Sequence, residues 1–244
     1  MTKIWAHRGA SQDAPENTME AFELAIKQHA DGIETDIHLT KDGQVVIMHD
    51  EKLDRTTNMH GYIKDYNYEE LEKCNANNGM KDYPFCKVPL LEDLLQLVKT
   101  EHIELNIELK TDVFMYPGIE AKCLALVKKY ELENQVIYSS FNHYSLMNLR
   151  QLDPQAKIGL LYTEGLVNPW DYAQTLNANA LHPYFPNLKI PSYVKESHEL
   201  KVMVNPWTVN RREDIMEMMA LNVDCVITNV PALALKVRKE MLCV

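Results

Sequence analysis

The sequence predicts an α/β fold, a single (β/α)8 TIM barrel with a small insertion after the second strand and its hairpin. Three observations predict it. Short β-branched or apolar runs alternate with amphipathic helical stretches along the whole chain. Setting aside one hairpin strand leaves about eight strands, the number that closes such a barrel. The chemically interesting residues fall at the carboxyl ends of those strands, where barrel enzymes keep their catalytic groups. The chain length of 244 residues suits one domain of this kind.

In chain order, the strand candidates are Ile4–His7, Gly32–Leu39, Val45–His49, Leu105–Leu109, Val136–Ser140, Lys157–Tyr162, Ala180–Pro183, Lys201–Asn205 and Cys225–Thr228. After the first strand, Met19, Phe22 and Ile26 recur at helical spacing. Asn17, three residues before Glu20, reads as the start of that helix through a capping box. Further helices are predicted at Leu91–Lys99, Ile119–Tyr130, Tyr144–Gln151, Arg212–Leu221 and Pro231–Lys239. Val45–His49 breaks the rhythm, since only Lys41-Asp42-Gly43-Gln44 separates it from the preceding strand. Asp-Gly in so short a link is a hairpin turn, so this strand is an antiparallel extra. From Asp50 to Pro89 the chain is polar and rich in Asn and Tyr, with one helical piece at Tyr68–Cys74. The expectation is therefore one catalytic domain over residues 1–244, with residues 50–89 inserted at the barrel mouth.

Composition narrows the function. Hydrophobic residues at 46% and charged residues at 25% are ordinary for a globular core. A net charge of −10 argues against a nucleic-acid binder, which needs clustered Lys and Arg. It also means that an anionic substrate would need a bound cation and local basic side chains. No apolar stretch approaches the ~20 residues that span a bilayer, so no stable membrane insertion is expected. The five Cys are scattered without CxxC spacing, which reads as reduced thiols in a cytoplasmic protein. Met1 to Ala6 run straight into a strand, leaving no cleavable leader in this reading. A homo-oligomer stays open.

Glu34 and Asp36 lie two apart in a strand, so both carboxylates face the same side. Two like charges so close favour a proton on one of them, or a cation between them. Glu108 is placed to supply a third oxygen, and three carboxylates without Cys suit a hard cation such as Mg²⁺ or Ca²⁺. The alternative is that these acids form ion pairs with Arg8 and Lys110. His7 and His49 end strands beside them and make a natural acid–base pair, the alternative being hydrogen-bonded packing. Arg8 and Lys110 are suited to phosphate oxygens. His29, His38, His60, His102, His143 and His198 lack such company, whereas His182 ends a predicted strand and is a candidate for the substrate pocket.

The segments Ala6-His7-Arg8-Gly9, Pro15-Glu16-Asn17-Thr18, Glu34-Thr35-Asp36, Thr40-Lys41-Asp42-Gly43 and His49-Asp50 resemble, in order and spacing, the glycerophosphodiester phosphodiesterase family. Glu108-Leu109-Lys110, Pro206-Trp207-Thr208-Val209-Asn210 and the run Val223 to Asn229 resemble its later motifs. The resemblance covers nearly the whole chain. It implies a TIM barrel, metal ligands at Glu34, Asp36 and Glu108, an acid–base pair at His7 and His49, and phosphate binding by Arg8 and Lys110. It also implies that Phe141 and Trp207 line the glycerol or alcohol pocket, barrel packing being their alternative role. Cys225 stands where the family usually has Gly, and Asn229 where Asp is common. Both are read as lying away from the catalytic set. The expected reaction is hydrolysis of a small-molecule glycerophosphodiester to sn-glycerol 3-phosphate and an alcohol. The attacker is either water or the glycerol 2-hydroxyl. Lysophospholipase D-type cleavage and a non-catalytic binding barrel are the competing readings.

Overall fold

A computed structural model describes residues 1–243. Its elements run β1 (Lys3–His7), α1 (Met19–Lys27), β2 (Gly32–Leu39), β3 (Val45–Ile47), α2 (Tyr68–Leu71), α3 (Leu91–Glu101), β4 (Glu104–Leu109), α4 (Ile119–Lys129) and β5 (Val136–Ser140). They continue with α5 (His143–Leu152), β6 (Ile158–Tyr162), α6 (Pro169–Thr175), β7 (Ala180–Pro183), α7 (Tyr193–Glu199), β8 (Met203–Val204), α8 (Arg212–Ala220), β9 (Cys225–Thr228) and α9 (Pro231–Leu242). The strands order as β8-β7-β6-β5-β4-β2-β1-β9, with β3 antiparallel on β2. Every other named pairing is parallel, as strand–helix alternation demands.

Closure between β8 and β9 needs no regular ladder. Asp224 N donates to Val204 O (3.0 Å), Ile227 N to Pro206 O (3.0 Å) and Val209 N to Ile227 O (3.0 Å). Pro206 cannot donate, which is one reason that β8 spans two residues instead of the expected Lys201–Asn205. The apolar faces of α1, α3, α4 and α5 bury Phe22, Leu94, Cys123 and Leu146 against the outer face of the barrel. Each large side chain so buried stabilises the fold by roughly 1.5–3 kcal/mol. Inside, Gly32 and Gly159 make room for bulk. A Cβ on Gly32 would lie 2.5 Å from the Trp5 ring, and one on Gly159 would lie 2.4 Å from His182 Nε2.

The segment between β3 and α3 has a small core of its own, built on Val46, Met48, Leu53, Ile63, Leu71 and Val88. It packs on the connections that leave β1 and β4. Tyr83 Oη donates to Asp13 O (3.3 Å), and the Tyr62 and Phe114 rings meet edge-on at 5.3 Å. Those connections start at the carboxyl ends of the strands.

One helix start differs from the expectation. Thr18, not Asn17, caps α1, its Oγ1 accepting from Ala21 N at 3.3 Å. Asn17 turns inward with φ 57°, accepts from Thr35 Oγ1 (2.9 Å) and donates to Asp36 Oδ2 (2.8 Å). Its amide is consumed by the second strand and is not free to serve the helix.

Candidate active site

Parallel register between β2 and β4 puts Glu34 beside Asn106 and Asp36 beside Glu108. Alternation along each strand then turns all four into the barrel. Glu34, Asp36 and Glu108 each offer an oxygen within 4.8 Å of the others, and all three are buried. Burial first, then repulsion from Asp36 and Glu108, pushes the Glu34 carboxyl well above the ordinary range. Burial and Asp36 likewise push Glu108 up to about 7, against the pull of Lys110. Asp36 goes the other way. Burial opposes its charge, but His49, Arg8, Lys110 and the Asn17 amide outweigh it and hold the carboxyl below its usual range. Asp36 Oδ1 is buried with no partner at all. An orphaned oxygen within a cluster of three buried carboxylates fits a hard divalent cation.

Two cations flank the cluster. Lys110 Nζ donates to Glu108 Oε1 (2.9 Å). Arg8 Nη1 donates to Glu16 Oε1 (2.9 Å), while its Nε lies 3.5 Å from Asp36 Oδ2. So the ion pairs weighed against a metal in the sequence do form in part. They leave Asp36 Oδ1 uncommitted. Arg8 itself has φ 57°, a left-handed conformation that costs a non-glycine residue on the order of 1 kcal/mol. In return its N–H donates to both Glu34 O (2.9 Å) and Glu34 Oε2 (3.0 Å).

The two histidines approach this cluster at different members, His7 at Glu34 and His49 at Lys110, the partner of Glu108. His7 Nδ1 donates to Asn229 Oδ1 (2.6 Å), leaving Nε2 with the lone pair, 3.9 Å from Glu34 Oε2. Burial, then the Arg8 guanidinium, lowers its pKa from 6.5 to about 3. His49 Nδ1 donates to Asp50 Oδ1 (2.6 Å), and its Nε2 lies 3.4 Å from Lys110 Nζ. Asn229 is therefore in direct contact with His7 and does not lie apart from the candidate set. Cys225 does lie apart, buried deeper beside Trp5.

His7, Arg8, Glu34, His49, Glu108, Phe141 and Trp207 all line one narrow cleft of about 40 Å³. Phe141 and Trp207 meet edge-on at 5.5 Å, and Lys110 Nζ lies 5.8 Å from the Phe141 ring centre. Phe141 and Leu161 are shared with an adjoining groove of about 570 Å³. His182, expected in the substrate pocket, does not line this cleft. It is fully buried beneath the cleft, beside Trp5, its Nε2 3.0 Å from Asn205 Nδ2. The space opened by Gly159 draws the ring into the barrel interior, and only its carbonyl serves the mouth, accepting from Trp207 Nε1 at 2.8 Å. A separate hollow of about 480 Å³ around Lys3, Trp5, Glu104 and Cys225 contains none of His7, Arg8, Glu34, Asp36, His49, Glu108 or Lys110.

Arg55 carries no sequence signal. It bridges Asp50 and Glu16, and so joins the partner of His49 to the partner of Arg8. No spacing reveals it. Asp50 and Glu16 do stand in the motifs that carry the family resemblance, but neither has a role assigned by it.

A sequence model described as the glycerophosphoryl diester phosphodiesterase family matches residues 7–233. A glycerophosphodiester phosphodiesterase of Caldanaerobacter subterraneus is 44% identical over 233 residues, covering 94% of this chain and 95% of the relative. One from Bacillus altitudinis is 42% identical over 247 residues, covering 99% and 100%. Among solved structures, a glycerophosphodiester phosphodiesterase of Agrobacterium tumefaciens superposes with TM-score 0.84 at 28% identity, over 96% of this chain and 99% of that one. An Oleispira antarctica phosphodiesterase in complex with the product sn-glycerol-3-phosphate does so with TM-score 0.91 at 25% identity, over 98% and 97%. With the family matched along nearly its whole length, this chain belongs to the glycerophosphoryl diester phosphodiesterase family.

Proposed function

We propose that this enzyme hydrolyses glycerophosphodiesters to sn-glycerol 3-phosphate and an alcohol, with Glu34, Asp36 and Glu108 holding a divalent cation, Mg²⁺ or Ca²⁺. The observation that carries the reading is the cluster of three buried carboxylates, one oxygen of them unpartnered, beside a cleft that His7, Arg8, Glu34, His49 and Glu108 line, with Lys110 paired to Glu108. When bound, the cation would offset the carboxylate charge and polarise a phosphoryl oxygen. Arg8 and Lys110 bind the remaining phosphate oxygens, Arg8 by its fork and Lys110 as a point charge. His7 and His49 each donate from Nδ1 to a fixed oxygen and so turn Nε2 to the cleft. One Nε2 takes the proton of the attacking hydroxyl, and the other delivers a proton to the leaving oxygen. Phe141 and Trp207 wall the side where the organic part of the substrate lies.

The groove that shares Phe141 and Leu161 keeps a second reading alive. It is lined largely by apolar groups, among them Leu166, Val167 and Pro169, which suits an acyl chain and hence a lysophospholipid. The deciding experiment is release of sn-glycerol 3-phosphate from glycerophosphocholine against release of choline or lysophosphatidic acid from lysophosphatidylcholine. Faster turnover of the deacylated substrate supports the first reading. A preference for the lysophospholipid overturns it in favour of the second, and no turnover of either removes both.

A further inference from the structure

Arg55 has no part in the chemistry above, yet its guanidinium makes four hydrogen bonds to two carboxylates. Nε donates to Asp50 Oδ2 (2.8 Å) and Nη2 to Asp50 Oδ1 (3.0 Å). Nη1 donates to Glu16 Oε2 (2.7 Å) and Nη2 also to Glu16 Oε1 (2.8 Å). Each carboxylate passes the contact on, Asp50 Oδ1 to His49 Nδ1 and Glu16 Oε1 to Arg8 Nη1. The chain His49–Asp50–Arg55–Glu16–Arg8 thus joins three segments: the end of the hairpin, the insertion and the connection after β1.

The backbone that carries Arg55 is anchored. Leu53, two residues before, is fully buried in the small core of the insertion, and Thr56, one residue after, is also buried. Thr57 N closes the turn on Leu53 O at 3.1 Å. Hydrogen bonds from Arg55 hold the Asp50 carboxyl well below its usual range. Burial raises Glu16, but Arg55 and Arg8 outweigh it. Isolated surface ion pairs contribute little to stability, so four aligned bonds here are better explained by geometry. A planar fork fixes the plane of each carboxylate it grips. The plane of Asp50 in turn sets the tilt and tautomer of the His49 ring, and Glu16 sets the direction of Arg8.

We propose that Arg55 is a positioning residue through which the insertion fixes the orientation of His49 and Arg8 together. The proposal rests on the reading of His49 as acid or base and Arg8 as phosphate ligand. It carries a consequence for the insertion, which then acts on the chemical step.

The test is steady-state kinetics of the full chain on glycerophosphocholine and on a nitrophenyl phosphodiester, for wild type, Arg55→Ala, Arg55→Lys, His49→Gln and the Arg55→Ala/His49→Gln double variant. Arg55→Ala should lose ~10²-fold in kcat, the scale of a misplaced reacting group. Arg55→Lys should recover little, because a point charge cannot align two carboxylates. In the His49→Gln background the further kcat loss should shrink to less than about tenfold, while the KM increase through Arg8 persists. A near-normal kcat for either Arg55 variant beside a disabled His49→Gln overturns the proposal alone. So does a kcat loss that is undiminished in the double variant, because Arg55 then does not act through His49. A near-normal kcat for His49→Gln removes the reading of His49 and the proposal with it. If Arg55→Ala does not fold, Arg55→Lys decides the question on the same terms, since it keeps the charge and lacks the fork.

Discussion

His7 and His49 present the same ring nitrogen to the cleft through different partners, a neutral amide on one side and a carboxylate on the other. Replacing either with Gln should lower kcat by ~10²–10⁴-fold, with a smaller change in KM, as measured on glycerophosphocholine. A nitrophenyl leaving group needs little protonation, so it should rescue the variant that lacks the acid and not the one that lacks the base. Near-normal kcat in both variants would return these residues to a packing role. The carboxylates make a second prediction, about pH. The folded pKa of Glu108 is raised to about 7, and that of Glu34 is raised too. Such groups stabilise the metal-free fold at pH below the ordinary glutamate range, and that contribution is lost as pH rises through about 7 for Glu108. A cation must displace those protons, so its stabilisation should grow across the same window. The rise in melting temperature on adding Mg²⁺ or Ca²⁺ should be larger at pH 8 than at pH 5.5; an equal or smaller rise at pH 8 would contradict the site. At this scale the residues that end strands or alternate along them are legible in the sequence. Glu34, Asp36, Glu108 and His7 stand at such positions, and His49 lies two residues beyond the end of β3. Asn229 and Arg55 are not legible, because they act across 222 and 39 residues of chain, by contacts that no local spacing encodes.

At the scale of elements, the start of α1 separates two jobs that the sequence runs together. Asn-x-x-Glu and the following threonine both satisfy a capping pattern, and only the inward turn of Asn17 decides between them. Thr18→Ala should therefore destabilise the fold by about 1 kcal/mol in denaturant unfolding, the usual cost of a lost cap. Asn17→Ala should weaken activity more than it weakens the helix, because its amide serves Asp36. Equal effects of the two on stability and activity would contradict this division. Strand ends are legible to within one residue, save that β3 ends at Ile47, two residues before the expected His49, and β8 starts at Met203, two residues after the expected Lys201. Helices α6 and α7 are not legible, being seven residues each and too short for a 3.6-residue period to register. The interior of β6 makes another test. Gly159→Ala would drive a Cβ into the His182 ring. Overpacking of this kind costs about 1–3 kcal/mol, and the variant's lowered unfolding midpoint should recover when His182 is shortened to Ala.

Across the whole molecule, a net charge of −10 surrounds a cleft that must accept a phosphodiester. Arg8 and Lys110 are already paired with Glu16, Asp36 and Glu108, so their charge is largely spent before any substrate arrives. On the proposed reading, an added cation would turn an acidic cleft into one that attracts phosphate. No helix among the described residues is long and apolar enough to cross a membrane. Whether the cation has that effect is read from the rate of sn-glycerol 3-phosphate release from glycerophosphocholine by protein stripped with EDTA, before and after addition of Mg²⁺ or Ca²⁺. Turnover should be lost on stripping and recovered on adding a cation, with no recovery in Glu34→Gln or Asp36→Asn. Full turnover after exhaustive stripping, or full recovery in those variants, would contradict a metal-dependent site at these carboxylates.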